Sequence, residues 1–273
     1  MMTITARHAL VTGGSRGIGR GITLKLAEHG VHVAINYLKD EASAKATLEQ
    51  VRARGADGFT VQADVSDPQQ IERLFRRVRD EFGSLDVFVS NARTEVGSFY
   101  EPPMAISLDK WDTAMNSQAK AFLVGVREAD KLMSNGGRIL AITYAPGGRY
   151  GSWQSWVGMG AAKSALETLV RYFAVALAPR GITVNSLSPG WVDDSVLNTL
   201  PEPVVQMIRD HHANGWTPMR RLGTPTDIGN AVALFCSKEA SWITGQLLAV
   251  DGGMGLMDPA LPLAIQQPEL QPA

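Results

Sequence analysis

The chain has 273 residues, of which 45% are hydrophobic, and its 26 basic and 27 acidic side chains leave a formal net charge of −1. That length supports a large core in one domain or two small ones. The balanced charge, without a basic stripe, argues against nucleic acid as a partner. No apolar run approaches the roughly 18 residues that cross a bilayer, so no membrane association is expected. Residues 1–8 are too short and polar for a signal peptide, and a cytoplasmic location follows. The single cysteine, Cys236, lies in an apolar run and reads as a buried small hydrophobe. The histidines are scattered without metal-ligand spacing, so no metal is assigned.

In chain order, Ala9–Val11 reads as a strand, followed by a glycine-rich turn and a helix near Arg20–His29. A strand is expected at Val31–Asn36, a helix at Ala42–Arg54, a strand at Phe59–Gln62 and a helix at Pro68–Phe82. Leu85–Val89 follows as a buried strand, then a long helix at Trp111–Met133 and a strand at Arg138–Thr143. The series ends with a helix at Gly160–Ala178, a strand at Ile182–Leu187, a helix at Thr226–Ser237 and a strand at Leu247–Val250. Apolar runs alternating with helices indicate an α/β fold, a doubly wound parallel sheet of Rossmann type in a single domain. Residues 194–219 interrupt the alternation and read as an inserted lid; the proline-rich tail, 258–273, reads as loosely held.

Thr12-Gly13-Gly14-Ser15-Arg16-Gly17-Ile18-Gly19 lies between the first strand and the first helix. Glycines there allow a tight turn, and the free N–H groups of the helix start suit a pyrophosphate. The motif alone is weak; in strand–turn–helix context it points to a dinucleotide. The second strand ends at Asn36-Tyr37 with no acid for a ribose diol, and Arg16 is suited to a 2′-phosphate, so NADP(H) is favoured over NAD(H). Asp64, followed by Val65, would accept from the adenine amino group or simply cap the next turn.

These pieces, with Asn91-Ala92, Asn116, Lys163, Asn185, Pro189-Gly190 and Val250-Asp251-Gly252-Gly253, make the chain resemble the short-chain dehydrogenase/reductases over roughly Ala6 to Met257. The resemblance implies a nicotinamide cofactor and commonly a homotetramer. It implies that Asn91 and Ala92 line the adenosine ribose, and that Lys163 binds the nicotinamide ribose and favours proton release by a nearby phenol. It places the backbone of Val192 at the carboxamide.

Several positions depart from the family pattern. Arg93 stands where a glycine is expected after Asn91-Ala92, close to the cofactor or the mouth of the substrate pocket. Met159 occupies the place of the family tyrosine, Tyr144 that of the serine, and Asp193-Asp194-Ser195 replaces a common threonine. Trp156-Val-Gly-Met159-Gly-Ala-Ala-Lys163, with Tyr144 upstream, is similar to the bacterial enoyl-acyl-carrier-protein reductase branch, whose tyrosine seven before the lysine is here Trp156.

A ketone reductase needs a phenol beside the hydride acceptor. An enoyl reductase sends charge to a more distant thioester oxygen and tolerates losing that phenol. NADPH-dependent reduction of an enoyl thioester, on an acyl carrier protein in fatty-acid synthesis, is therefore the leading expectation. A 3-oxoacyl reductase with an unusual proton donor, or a catalytically silent NADP-binding protein, remains the alternative. Tyr144 is the first candidate for the oxyanion donor, ahead of Tyr150 and Gln154 in the loop before Lys163; Tyr172 reads as core. Trp153, Trp156, Met159, Trp191, Trp216 and Met219 are read as an apolar wall over the nicotinamide, suited to an acyl chain.

Overall fold

The computed structural model describes residues 3–95, 97, 99–144, 154–194, 197–258 and 260–267. Seven parallel strands form one sheet in the order β3-β2-β1-β4-β5-β6-β7. They are β1 His8–Val11, β2 His32–Tyr37, β3 Gly58–Gln62, β4 Val87–Ser90, β5 Arg138–Ile142, β6 Thr183–Pro189 and β7 Leu247–Val250. The principal helices are α1 Gly17–Glu28, α2 Glu41–Ala53, α3 Pro68–Phe82, α4 Leu108–Met115, α5 Ala121–Leu132, α6 Val157–Leu177, α7 Glu202–His211 and α8 Pro225–Cys236. The doubly wound single domain expected from the alternation is the fold observed.

Both faces of the sheet are covered, which is why its strands are apolar throughout rather than alternating. Successive strand residues point to opposite faces. Accordingly Leu10 joins Phe75, Phe88, Phe122 and Leu166 under α3, α5 and α6. Ala9 and Val11 join Ile22, Leu26, Ile228 and Val232 under α1 and α8. On that second face α1 and α8 approach through glycines: a Cβ on Gly21 would lie 2.2 Å from the Pro225 carbonyl oxygen, and one on Gly229 2.6 Å from the Gly21 oxygen.

Local signals set the helix ends. Asp67 caps α3 by accepting from the Gln69 N–H, Pro68 takes the first turn, and Gly83 ends the helix in the left-handed region at φ 74°. Thr224 and Asp227 form a capping box at the start of α8. The predicted helix 111–133 is interrupted by a π-helical turn, Asn116–Lys120, between α4 and α5.

The chain crosses from β3 on one flank to β4 on the other side of β1. Such a reversal opens a crevice at the carboxyl ends of β1 and β4, the place where open α/β sheets bind ligands. In the predicted lid, α7 is followed by a π turn, His212–Trp216, in which Gly215 reaches φ 111°. Among the described tail residues, Gln267 donates from Nε2 to the Gly215 oxygen at 2.7 Å, so this part of the tail is bonded to the lid segment rather than loose. No helix among the described residues is long and apolar enough to cross a membrane.

Candidate active site

The turn after β1 is shaped by contacts that only glycine permits. Gly13 and Gly17 have φ of 63° and 51°. A Cβ on Gly19 would fall 2.0 Å from the Gly13 oxygen. Helix α1 starts on Arg16, which is extended and makes no side-chain cap, with no acid in the first turn. By contrast α2, α3, α4 and α8 begin on Asp40, Asp67, Ser107 and Thr224, each accepting from a first-turn N–H. An uncapped helix start behind a glycine turn leaves its amides and positive dipole end for an anion. The residues present fit a dinucleotide pyrophosphate.

The turn is braced from beneath. Asn36, predicted as a cofactor contact, is buried and its amide serves the protein: Oδ1 accepts from the Gly13 N–H at 3.2 Å and Nδ2 donates to the Ala63 oxygen at 3.1 Å. Asn91 Nδ2 donates to the oxygens of Thr12 (2.9 Å) and Gly13 (3.2 Å). The Thr12 hydroxyl accepts from the Asn91 and Ala92 amides at 3.0 and 3.1 Å. Gln118, in the π turn, donates to the Ala92 oxygen at 3.2 Å. Thr12 and Gln118 were not singled out from sequence; a hydroxyl closing the first strand and an amide two residues past Asn116 were the available signals. Ser15 is buried and its carbonyl accepts from Thr47 Oγ1 and Arg20 Nε.

Arg16 is exposed at the lip of the crevice, while Ile18 and Tyr37 are half-buried. The acid that follows β2, Asp40, is committed to capping: it accepts from the Ser43 amide at 2.9 Å and hydroxyl at 2.6 Å, and these bonds hold its carboxyl below the usual range. No carboxylate is therefore offered to a ribose at the end of β2. Asp64 caps its own turn, accepting from the Ser66 amide and hydroxyl at 2.8 and 2.7 Å, and Val65 packs against the core.

At the other end of the crevice, Lys163 on α6 is 6% exposed and donates from Nζ to the Ile142 oxygen at 2.6 Å. Burial first, then the neighbouring Arg93 guanidinium, brings its pKa down to about 7, with Glu167 opposing. Tyr144, just past β5, is half-buried and its ring lies 5.7 Å from that of Trp156. Burial pushes its phenol up to about 12, so it stays neutral.

Met159 is 1% exposed and packs with Phe99, Ala114 and Ala162, with Trp156 at the edge of the same cluster. Trp156 stacks edge-on to Phe99 at 4.9 Å. Trp191 and Trp216 sit instead with the lid histidines, 6.0 Å from His212 and 4.9 Å from His211, and Met219 is exposed. Of the residues predicted as one wall, Trp156 and Met159 therefore share one cluster, and Trp191 and Trp216 neighbour the lid histidines. Gln154 is exposed ahead of α6, unlike Tyr144 and Lys163. Tyr150 and Trp153 fall outside the described residues. Asn116 Oδ1 accepts from Lys120 Nζ at 3.3 Å. Gly190 abuts Asp251, where a Cβ would come to 2.8 Å of its Cβ; Val192, just past Pro189-Gly190-Trp191, is buried and bridges to Gly223.

A glycine-bound helix start, a reversal of strand order and a buried lysine at the far end of one crevice define a Rossmann-type dinucleotide-binding protein. The family model described as Enoyl-(Acyl carrier protein) reductase matches residues 13–255. The chain belongs to the short-chain dehydrogenase/reductase family. It is 37% identical to 1-cyclohexenylcarbonyl-CoA reductase of Streptomyces collinus, over 92% of this chain and 88% of that one. It is 34% identical to a 3-oxoacyl-[acyl-carrier-protein] reductase of Staphylococcus aureus, over 91% and 98%. An angucycline C-6 ketoreductase solved with bound NADP superposes with a TM-score of 0.82 at 32% identity, covering 92% of this chain and 96% of its own.

Proposed function

We propose that the chain is an NADP(H)-dependent reductase of enoyl thioesters, with the acyl group carried by coenzyme A or acyl carrier protein. The observation that carries this reading is the pairing of a retained, buried Lys163 with a Met159 locked into packing where the family places its phenol. A carbonyl reduction needs an acid at the carbon-bound oxygen beside the nicotinamide, and a thioether has no proton to give. In a conjugated thioester the charge develops on the thioester oxygen, farther away, and water can protonate the α-carbon. The similarity to an enoyl-CoA-type reductase supports the same reading.

Gly13, Ser15, Arg16, Gly17, Ile18 and Gly19 would hold the phosphates, with Arg16 and the missing acid at Asn36-Tyr37 favouring the 2′-phosphorylated cofactor. Asp64 and Val65 would border the adenine, Asn91 and Ala92 the adenosine ribose, with Asn116 below them. Lys163 would hold the nicotinamide ribose, and the backbone from Pro189 and Gly190 to Val192 the carboxamide. When bound, the reduced nicotinamide supplies a hydride to the substrate's β-carbon. Tyr144, kept neutral by burial, donates a hydrogen bond towards the enolate oxygen.

Reduction of a 3-oxoacyl thioester is the second reading, supported by the 3-oxoacyl-reductase and ketoreductase relatives. The test is NADPH oxidation by purified protein with crotonyl-CoA and acetoacetyl-CoA side by side. Turnover of the first supports enoyl reduction and turnover of the second alone selects the ketone. Tight NADPH binding with neither would leave a silent binding protein. A homotetramer is part of the proposal: Tyr172, Val175 and Trp242 are 74%, 77% and 98% exposed, apolar surface that a partner would cover. Sedimentation of the native protein as a monomer would remove it.

A further inference from the structure

Arg93 occupies a glycine's place in the family pattern, and the fold admits it without strain. Its backbone is not among the left-handed positions, of which Arg220 is the non-glycine example among the described residues. The side chain is half-buried; burial lowers its pKa, with Asp194 after β6 opposing and Arg16 at the start of α1 adding, and its charge in turn lowers that of Lys163 on α6. Asp194 follows β6, Arg16 follows β1 and Lys163 is bonded at the end of β5, so all three lie at the carboxyl ends of the strands, where the crevice opens.

The register agrees. Ser90 on β4 pairs with Ala141 on β5. Arg93 lies three residues past the end of β4 and Tyr144 two past the end of β5, on neighbouring strand ends at the same edge of the sheet. Lys163 Nζ reaches the same strand end through the Ile142 oxygen. Among the described residues the guanidinium makes one hydrogen bond, Nη1 to the Thr94 oxygen at 2.9 Å, and no ion pair within 4.0 Å. None of its nitrogens is among the enclosed side-chain atoms left unbonded. Of five N–H donors, those remaining are therefore not enclosed and are available to a ligand.

We propose that Arg93 is a catalytic residue that binds the thioester carbonyl oxygen and, with Tyr144, holds the negative charge that moves onto it. This rests on the enoyl-thioester reading. When bound, the reduced nicotinamide would supply hydride to the β-carbon as the C=C π pair moves to make the enolate, whose oxygen would accept from the guanidinium. The enolate collapses as the α-carbon takes a proton from water, leaving a saturated thioester and oxidised cofactor. A planar fork presents two parallel donors to one oxygen, which a lysine's point charge does not reproduce.

The test compares wild type, Arg93→Gln and Arg93→Lys, with thermal melts to verify folding. With crotonyl-CoA, Arg93→Gln is expected to lose about 10²–10³-fold in kcat/KM and Arg93→Lys about tenfold, while NADPH affinity stays within about threefold. Binding of crotonyl-CoA to the NADP⁺ complex, where no turnover occurs, is expected to weaken roughly tenfold in Arg93→Gln. A wild-type rate in Arg93→Gln, or a loss of NADPH affinity as large as the loss of rate, overturns the assignment. If the wild type reduces no enoyl thioester, the reaction reading falls, and the binding comparison still decides Arg93: equal affinity in Arg93→Gln rejects it. If Arg93→Gln does not fold, an undiminished rate in Arg93→Lys rejects the fork.

Discussion

The start of α1 and the end of β5 border one crevice, and they differ in what enforces them. Around α1 the constraints are backbone contacts: Gly19 has no room for a Cβ beside the Gly13 oxygen, and Asn36, Asn91 and Thr12 grip the same turn. Few side chains could change without moving the backbone. At the end of β5 the strand is tied by Thr143 to the Leu187 oxygen and by Lys163 to the Ile142 oxygen, and the neighbouring chemistry rests on side chains. By the family resemblance, a methionine stands there for the phenol, a tyrosine for the serine and an arginine for the glycine. Cofactor binding is written in main-chain geometry, which resists substitution, whereas substrate chemistry is written in side chains, which a chain can exchange.

The sharpest way to break the contrast is Lys163→Met. Turnover is expected to drop about 10²–10⁴-fold, measured as NADPH oxidation, because the group proposed to hold the nicotinamide ribose is lost. Met159→Ala should act on stability instead, by about 2–5 kcal/mol in denaturant unfolding, since it opens a cavity beside Phe99 and Ala114. Cofactor affinity should be unchanged; a loss there would mean that Met159 touches the ligand. Gly19→Ala should weaken NADPH binding at least tenfold in a fluorescence titration, because the turn must shift. Tyr144→Phe should slow enoyl turnover roughly tenfold, about the worth of one hydrogen bond, with little effect on NADPH affinity. An unaltered rate would remove the phenol from the reaction.

The smallest effect is one of pH. Lys163 titrates near 7 in the folded chain and near 10.5 unfolded. Between those values the unfolded state holds a proton that the folded state lacks. Stability of the cofactor-free protein should therefore rise with pH across that window, by up to about 1.4 kcal/mol per unit, and be flat from this source below pH 7. The difference between wild type and Lys163→Met, followed by urea unfolding from pH 7 to 10, should show that slope; parallel curves would refute it.

Most of the fold was legible because its signals are local. Asp67-Pro68 and Gly83 bracket α3 as read from sequence. The π turn at Asn116–Lys120 was not legible, since inserting one residue into a helical ladder needs no special residue type. Tyr172 was expected in the core and lies outside. The buried stripe of α6 runs through Met159, Ala162, Lys163, Leu166, Val170 and Ala174, and position 172 falls out of that phase. Asn36 was read from sequence as a cofactor contact; its amide braces the turn from below, and sequence spacing cannot tell a contact from a support.

The glycine seam between α1 and α8 ties together segments about two hundred positions apart in the chain. With Gly21 and Gly229 in backbone contact, whatever steadies the first helix steadies the last large one. Amides of Ile228 and Val232 should then exchange more slowly with deuterated solvent once NADPH occupies the glycine turn, so a ligand seated near the amino terminus leaves its imprint near the carboxyl terminus.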